Sequence, residues 1–304
     1  MKLTLLAERV RFDYMADVYR CGDCSLIFLD QDSFSFPADF YEKEYHQTYI
    51  THIEPAAFKP REYYEKMKTA ARPWAEKFAK ELSGGEVVLD LGCSTGHFID
   101  MIKDRAGKVY GHDLNAKEVE FCRNVLNLDV SDKPLKERFK EHSFDYITLI
   151  FVLEHIARPQ EFLKMLKTFL KPGGKLVIVV PNIQDALVSF YDIPEFLAFY
   201  YCIEHLYYYS PKTIGRFLCE SGFKVDSMEV VQEYPITNHI NWAYRRAPGD
   251  TLAARSGLPD IPIRADAPAE KWKELWDTIN MRYQEFLREN GFGDRIWCTA
   301  SAAC

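Results

Sequence analysis

Short, almost wholly apolar runs alternate with amphipathic stretches through the middle of the chain. This is the pattern of strands buried on both faces and of the helices that cover them. Val87-Val88-Leu89-Asp90-Leu91 predicts one such strand, and Gly92 to Gly96 a tight turn after it. Residues 97–106 then carry Phe98, Ile99, Met101 and Ile102 on one helical face. A second strand is expected over 108–112, followed by a helix that buries Val119, Cys122, Val125 and Leu126. A third strand, weakly marked, falls near 126–130, and a fourth over 144–150. Residues 159–170 predict a helix with Phe162, Leu163, Leu166, Phe169 and Leu170 inward. Lys171-Pro172-Gly173-Gly174 stops it, and 175–180 is a fifth strand ending at Pro181-Asn182. Strands and helices in strict alternation imply an α/β fold with a doubly wound, largely parallel sheet.

The flanks are patterned differently. Residues 62–82 set Trp74, Phe78 and Leu82 four apart on a helical face, with Pro73 either starting a new helix or kinking the existing one. Ser83-Gly84-Gly85 closes that element. Beyond the fifth strand, Ser210 as N-cap and Pro211 at the first helical position open a helix with Ile214, Phe217 and Leu218 inward. Gly222 ends it, and 223–231 is a sixth strand. A later helix, 268–288, shows Trp272, Leu275, Trp276, Ile279, Tyr283, Phe286 and Leu287 in one stripe, which reads as a packing face. At the start, 17–28 reads as two short strands joined by a Gly-Asp turn. The aromatics Phe34, Phe36, Phe40, Tyr41, Tyr45 and Tyr49 follow, as an arm packed on the main domain or a lid over a substrate.

Composition narrows the class. The chain has 304 residues, 47% of them hydrophobic and 27% charged, which describes a globular protein with room for a full core. No apolar run reaches the roughly 20 residues that span a bilayer. The early charges in Met-Lys-Leu-Thr-Leu-Leu-Ala-Glu-Arg predict no signal peptide. A net charge of −7 argues against a nucleic-acid partner, which needs clustered cations. Eight scattered cysteines then read as reduced thiols in a cytoplasmic protein. Cys21 and Cys24 have zinc-knuckle spacing, but no second Cys-x-x-Cys exists, and only His46 and His52 stand near. The expectation is a hairpin with two half-buried thiols and no metal.

A strand, a glycine turn and a helix form a small-molecule cradle. The backbone approaches the ligand closely, and the helix N-terminus offers free N–H groups. A dinucleotide fingerprint would need glycine at positions 94 and 97, where this chain has Ser94 and His97. Asp113, at the end of the second strand, stands where such folds place an acid on ribose hydroxyls. Asn115 with Glu118 three residues on predicts a capping box for the next helix, leaving Asp113 free for a ligand.

The run Leu-Asp-Leu-Gly-Cys-Ser-Thr-Gly resembles motif I of the class I S-adenosylmethionine-dependent methyltransferases, with Ser94 at the usual middle glycine. Phe144-Asp145-Tyr146-Ile147, then Val152-Leu153-Glu154-His155-Ile156, then Leu170-Lys171-Pro172-Gly173-Gly174-Lys175-Leu176-Val177-Ile178 and Pro181-Asn182 resemble further motifs of the branch that includes sugar and ubiquinone-biosynthetic methyltransferases. The resemblance implies S-adenosyl-L-methionine as cofactor, bound by Asp90, Gly92, Cys93, Ser94, Gly96, Asp113, Leu114 and Phe151, with Asp132 a further candidate at the adenine. It also implies a Rossmann-like seven-stranded sheet. The seventh strand is then 294–300, which makes 232–293 a helical insertion before it. The expected organisation is an arm over 1–60, a cofactor domain over 61–231 and 294–304, and the insertion as a substrate cap. Some sugar C-methyltransferases carry an N-terminal zinc module with several cysteines. Here the partner cysteines are missing, which favours O- over C-methylation.

Methyl transfer to oxygen or nitrogen needs a base, and histidine is the usual one. His205, with Glu204 beside it, and His155, after the fourth strand, are the candidates. Tyr207 and Tyr208, with Tyr200, Tyr201 and Tyr209, are candidates for the wall of the site, where ring faces favour a sulfonium. From Arg245 to Arg264, four arginines (245, 246, 255 and 264) face two aspartates, a local basic loop on an acidic chain. Arg245 and Arg246 are therefore expected to bind a phosphorylated or nucleotide-linked sugar. The alternatives are a quinone or phenol acceptor, a C-methyltransferase, and a non-catalytic binding subunit that retains the fold.

Overall fold

The computed structural model describes residues 2–34, 59–248, 257–259, 264 and 267–303. The arm aromatics Phe36 to Tyr49, His46, His52 and Arg255 lie outside these residues. The strands are β1 (Leu3–Val10), β2 (Tyr14–Cys21), β3 (Ile27–Leu29), β4 (Val87–Leu91), β5 (Lys108–His112), β6 (Val130–Ser131), β7 (Phe144–Ile150), β8 (Leu170–Pro181), β9 (Tyr207–Tyr208), β10 (Phe223–Val231) and β11 (Arg295–Ala302). Seven of them form one sheet in the order β10-β11-β8-β7-β4-β5-β6, with β4 parallel to both β5 and β7. Asp90 is therefore level with Gly111 on one side and Thr148 on the other. This is the expected Rossmann-like sheet, with the last strand arriving after the 232–293 segment.

The chain divides into two compact units, one of residues 35–178, 217–227 and 299–304, the other of 1–34, 179–216 and 228–298. The first, the glycine-loop unit, packs Phe78, Leu89, Ile99, Ile102, Phe144, Ile147, Leu149 and Phe169 with almost no exposed surface. The helix Pro60–Phe78 runs through Pro73 and sets Phe78 edge-on to Tyr146, ring centroids 5.3 Å apart. Three local readings are corrected in this unit. The helix after the glycine turn stops at Ile102 instead of 106, and the chain returns through a bond from Gly107 N to Glu86 O. The next helix ends at Asn124, so Val125, expected inside, lies past its end and is 51% exposed. The third strand shrinks to Val130–Ser131, because Leu128 N bonds back to Cys122 O.

The second unit holds the N-terminal four-stranded antiparallel sheet, β1-β2-β3-β9. Its last strand is a surprise. Tyr207 and Tyr208, expected within the cofactor domain, pair with Phe28 and Ile27. The same unit contains the helices Ile236–Arg245 and Ala269–Glu289, and an aromatic cluster in which Phe196 and Phe199 pack on Trp242 at 4.8 and 5.1 Å. The stripe on the longer helix is not a buried face along its length: Leu287 is buried, but Leu275 and Phe286 are 50% and 45% exposed.

Candidate functional site

The glycine loop is built by its own neighbours. Gly92 and Gly96 have φ of 69° and 73°, the left-handed region that glycine occupies without strain. A methyl group on Gly92 would lie 2.6 Å from Val152 Cγ2, and one on Gly96 2.8 Å from Leu128 Cδ1. Side chains at these positions are excluded twice over. Ser94 also has positive φ, 48°, without glycine's freedom, and hydrogen bonds to several neighbours hold it. Its N–H donates to Asp113 Oδ2 at 2.8 Å, its hydroxyl to Glu118 Oε1 at 3.0 Å, and its carbonyl accepts from Cys122 Sγ at 3.4 Å.

Asp113 is thus not free, as the sequence had it, but oriented. Asn115 N donates to its other oxygen at 2.9 Å. The expected capping box is half formed: Asn115 caps Lys117 N and Glu118 N, while Asp113 takes the Asn115 N–H that Glu118 was expected to reach. Glu118 instead points its fully buried carboxyl at Ser94. Asp90, also buried, accepts from Thr148 Oγ1 at 2.5 Å. Burial pushes its carboxyl up to about 7, against the Thr148 bond and helped by nearby Asp113. Cys93 is buried, and a thiol hydrogen bond with Cys122 and burial hold its pKa well up. Three carboxyl groups, Asp90, Asp113 and Glu118, surround the loop. That donor set suits a ligand bearing a cation and a ribose diol, as S-adenosylmethionine does, and disfavours a pyrophosphate.

Around this centre, Leu114 is 52% exposed, and Phe151, at φ 57°, meets Trp74 edge-on at 6.2 Å. Asp132 lies 3.9 Å from Arg123 on the surface. Sequence reasoning missed a node at Asp100, which takes bonds from Tyr64 at 2.5 Å, Lys68 at 3.0 Å and Lys103 at 2.7 Å. Burial opposes its ionisation, but these donors hold its carboxyl down at about 2. It ties the Pro60–Phe78 helix to the helix that follows the loop. Neither this contact nor that of Glu118 has a short-range signal, since each joins residues more than 20 apart in sequence.

The expected bases fall in different units. Glu154 and His155 end a short 3-10 turn in the glycine-loop unit, where Glu154 is buried and His155 half-buried. In the other unit Glu204 is buried and His205 half-buried, with His205 N bonded to Cys202 O at 3.3 Å. Tyr207 is half-buried. Tyr208, expected to wall a substrate site, is core instead: its hydroxyl accepts from Cys202 N at 2.9 Å and donates to Cys202 O at 3.1 Å, closing the 202–208 loop. Tyr200, Tyr201 and Tyr209 are also buried. Arg245 is exposed, whereas Arg246, expected at the substrate, is engaged by Glu195 at 3.3 Å and Asp192 O at 3.4 Å.

Comparison with known proteins agrees with the loop. The profile of a family described as the methyltransferase domain matches residues 63–228. A ubiquinone biosynthesis O-methyltransferase of Acinetobacter baylyi is 25% identical over 178 residues, 55% of this chain and 74% of that protein. A protein of the same name from Acinetobacter baumannii is 29% identical over 117 residues, and the match spans only 49% of its length. A solved SAM-dependent methyltransferase from Archaeoglobus fulgidus shares the fold, with a TM-score of 0.51 at 19% identity over 84% of this chain and 99% of that one.

Proposed function

The chain belongs to the methyltransferase-domain family, a class I S-adenosylmethionine-dependent enzyme, and from that premise we propose that it methylates a hydroxyl oxygen of a small polar metabolite, a sugar, nucleotide-linked or phosphorylated compound. One observation carries the reading: the loop after β4 is ringed by carboxyl groups, with both oxygens of Asp113 fixed by backbone N–H groups. Bound there, the cofactor supplies an electrophilic methyl group. Asp113 keeps lone pairs for two vicinal hydroxyls, and Asp90 and Glu118 present carboxyl oxygens to a cation. The backbone of Gly92, Cys93, Ser94 and Gly96 lines the approach, with Leu114 and Phe151 as apolar flanks. His205, beside Glu204, takes the acceptor's proton, with His155 as the reserve. Residues 232–293, Tyr207 and Arg245 contribute acceptor contacts.

A phenol or quinol acceptor is the second reading. It is favoured by the names of the Acinetobacter relatives and by the Phe196, Phe199 and Trp242 cluster.

The two assigned roles separate on mutation. Asp113→Ala is expected to weaken S-adenosylhomocysteine binding by about 1.5–3 kcal/mol, the scale of a hydrogen bond to a charged group, and to leave saturated turnover largely intact. His205→Ala is expected to lower the saturated rate by about 10²–10⁴ with cofactor affinity unchanged. Methyl transfer is followed by mass spectrometry on sugar nucleotides, sugar phosphates and catechols. Methylation confined to carbon or nitrogen would overturn the O-methyl reading.

A further inference from the structure

The Cys-x-x-Cys pair of the N-terminal sheet has no part in the reading above. Cys21 closes β2, and Cys24 stands in the turn that leads to β3. The turn is tightly built. Cys21 N donates to Leu26 O at 2.9 Å, and Ser25 N to Cys21 O at 2.8 Å. Ser25 holds φ at 65°, in the left-handed region, although it carries a side chain. Gly22 N bonds to Lys2 O at 2.8 Å, which fixes the turn to the chain just before β1. This backbone brings the two thiols within hydrogen-bonding reach of each other. Cys21 is buried and Cys24 half-buried, so the pair has an inner and an outer member.

The two sulfurs differ in kind. The backbone N–H of Cys24, the Cys24 thiol and the N–H of Asp23 act on the Cys21 sulfur and hold its pKa below the ordinary thiol value, against burial and the charge of Asp23. Burial pushes the Cys24 thiol up, helped by its bond to Cys21 and by the charge there, while the N–H of Leu26 and the Arg216 guanidinium act the other way. Once the pair loses a proton, the charge therefore settles on Cys21, and the Cys24 S–H donates to it. Cys93 and Cys202 show the contrast. The bond to Cys122 and burial push Cys93 up, and burial pushes Cys202 up. Among the described residues, no His, Asp or Glu joins Cys21 and Cys24 in a group of metal-binding size. A thiolate held against a neighbouring thiol has instead what disulfide exchange requires: a nucleophilic sulfur and a second sulfur within reach.

We propose that Cys21 and Cys24 form a reversible dithiol/disulfide site that exchanges with small disulfides of the glutathione type. The outer sulfur reacts first. As Cys24 attacks one sulfur of the small disulfide, its proton passes to the Cys21 sulfur, the S–S bond breaks, and one thiolate leaves. That thiolate takes the proton from Cys21 and departs as a thiol. The Cys21 thiolate then attacks the Cys24 sulfur, the protein disulfide forms, and the bond from Cys24 to the second small thiolate breaks. The protein dithiol is oxidised by two electrons, and the small disulfide is reduced to two thiol equivalents. The inference rests on this turn alone and does not depend on the methyl-transfer reading.

The test equilibrates the full-length protein in buffers of reduced and oxidised glutathione, blocks the remaining thiols with N-ethylmaleimide, and reads each cysteine by peptide mass spectrometry. The peptide holding Cys21 and Cys24 is expected to lose two hydrogens as the buffer becomes oxidising, and to regain them in excess reduced glutathione. In Cys21→Ser, glutathione is expected to accumulate on Cys24, because no thiolate remains to expel it. In Cys24→Ser, Cys21 is expected to take up glutathione about tenfold more slowly than Cys24 does in the other variant, because it is the sheltered member. Three results would overturn the proposal: both thiols still blocked by N-ethylmaleimide in pure oxidised glutathione, a disulfide that joins either one to a different cysteine, or stoichiometric zinc that is bound to the pair and prevents oxidation. The wild-type protein alone decides these outcomes, and the readout is thiol mass and not turnover, so failure here is distinct from failure to transfer methyl groups.

Discussion

Each compact unit buries a titratable side chain and shifts it towards its neutral form, and the two do so from opposite directions. In the glycine-loop unit, burial pushes Asp90 up to about 7, with Asp113 adding repulsion against the bond from Thr148. In the other unit, burial alone pushes His239 down to about 4. The acid sits among other acids at the end of a strand, so a cationic ligand would favour its ionised form. The imidazole packs against the rings of Tyr191 and Tyr283, the latter under the influence of Asp185. The second unit also buries an acid, Asp185, which burial and Asp294 push up to about 7, so the contrast lies between the two side chains and their immediate neighbours.

That contrast predicts opposite pH slopes. Asp90 has a folded pKa above its unfolded value, so its contribution is fully present below about pH 4 and is lost as pH rises towards 7. A shift of this size corresponds to roughly 4 kcal/mol. Asp90→Asn is expected to gain about that much relative to wild type between pH 4 and pH 8 in urea denaturation. Parallel profiles would break the comparison at its first member. His239 is the reverse case: its contribution is present above about pH 6.5 and is lost as pH falls towards 4, because only the unfolded ring takes up a proton. His239→Phe is expected to remove roughly 3 kcal/mol of that acid-side loss. If the variant keeps the wild-type acid slope, another group carries it.

A smaller effect sharpens the division between ligand-facing and structural groups. Tyr208→Phe removes the clasp on Cys202 and is expected to cost about 1 kcal/mol of stability. S-adenosylhomocysteine affinity is expected not to change. A drop in affinity, measured by calorimetry, would return Tyr208 to the functional residues.

The legible parts of the sequence were those whose signal is local. The apolar run at β4, the turn glycines and the acid just after β5 follow from periodicity and spacing, the seven-stranded Rossmann-like sheet from the family resemblance, and the structure reproduces them. Elements set by distant contacts were not legible. Tyr207 and Tyr208 carry no mark of pairing with β3, some 180 residues away by the register Phe28↔Tyr207. Glu118 reads as a capping acid until the fold brings Ser94 against it. The amphipathic stripe on Ala269–Glu289 predicts a buried face, yet Leu275 and Phe286 remain exposed. Arg246 reads as a free cation until Glu195 is placed beside it.

The central claim is that the carboxyl-ringed loop after β4 binds a sulfonium cofactor and not a dinucleotide. Thermal unfolding with S-adenosylhomocysteine, S-adenosylmethionine and NAD, each at millimolar concentration, tests it most directly. Either sulfur nucleoside at about 100 times its dissociation constant is expected to add about 2.7 kcal/mol, a readily measured rise in Tm, while NAD leaves Tm unchanged. Stabilisation by NAD, or by none of the three, would contradict the account.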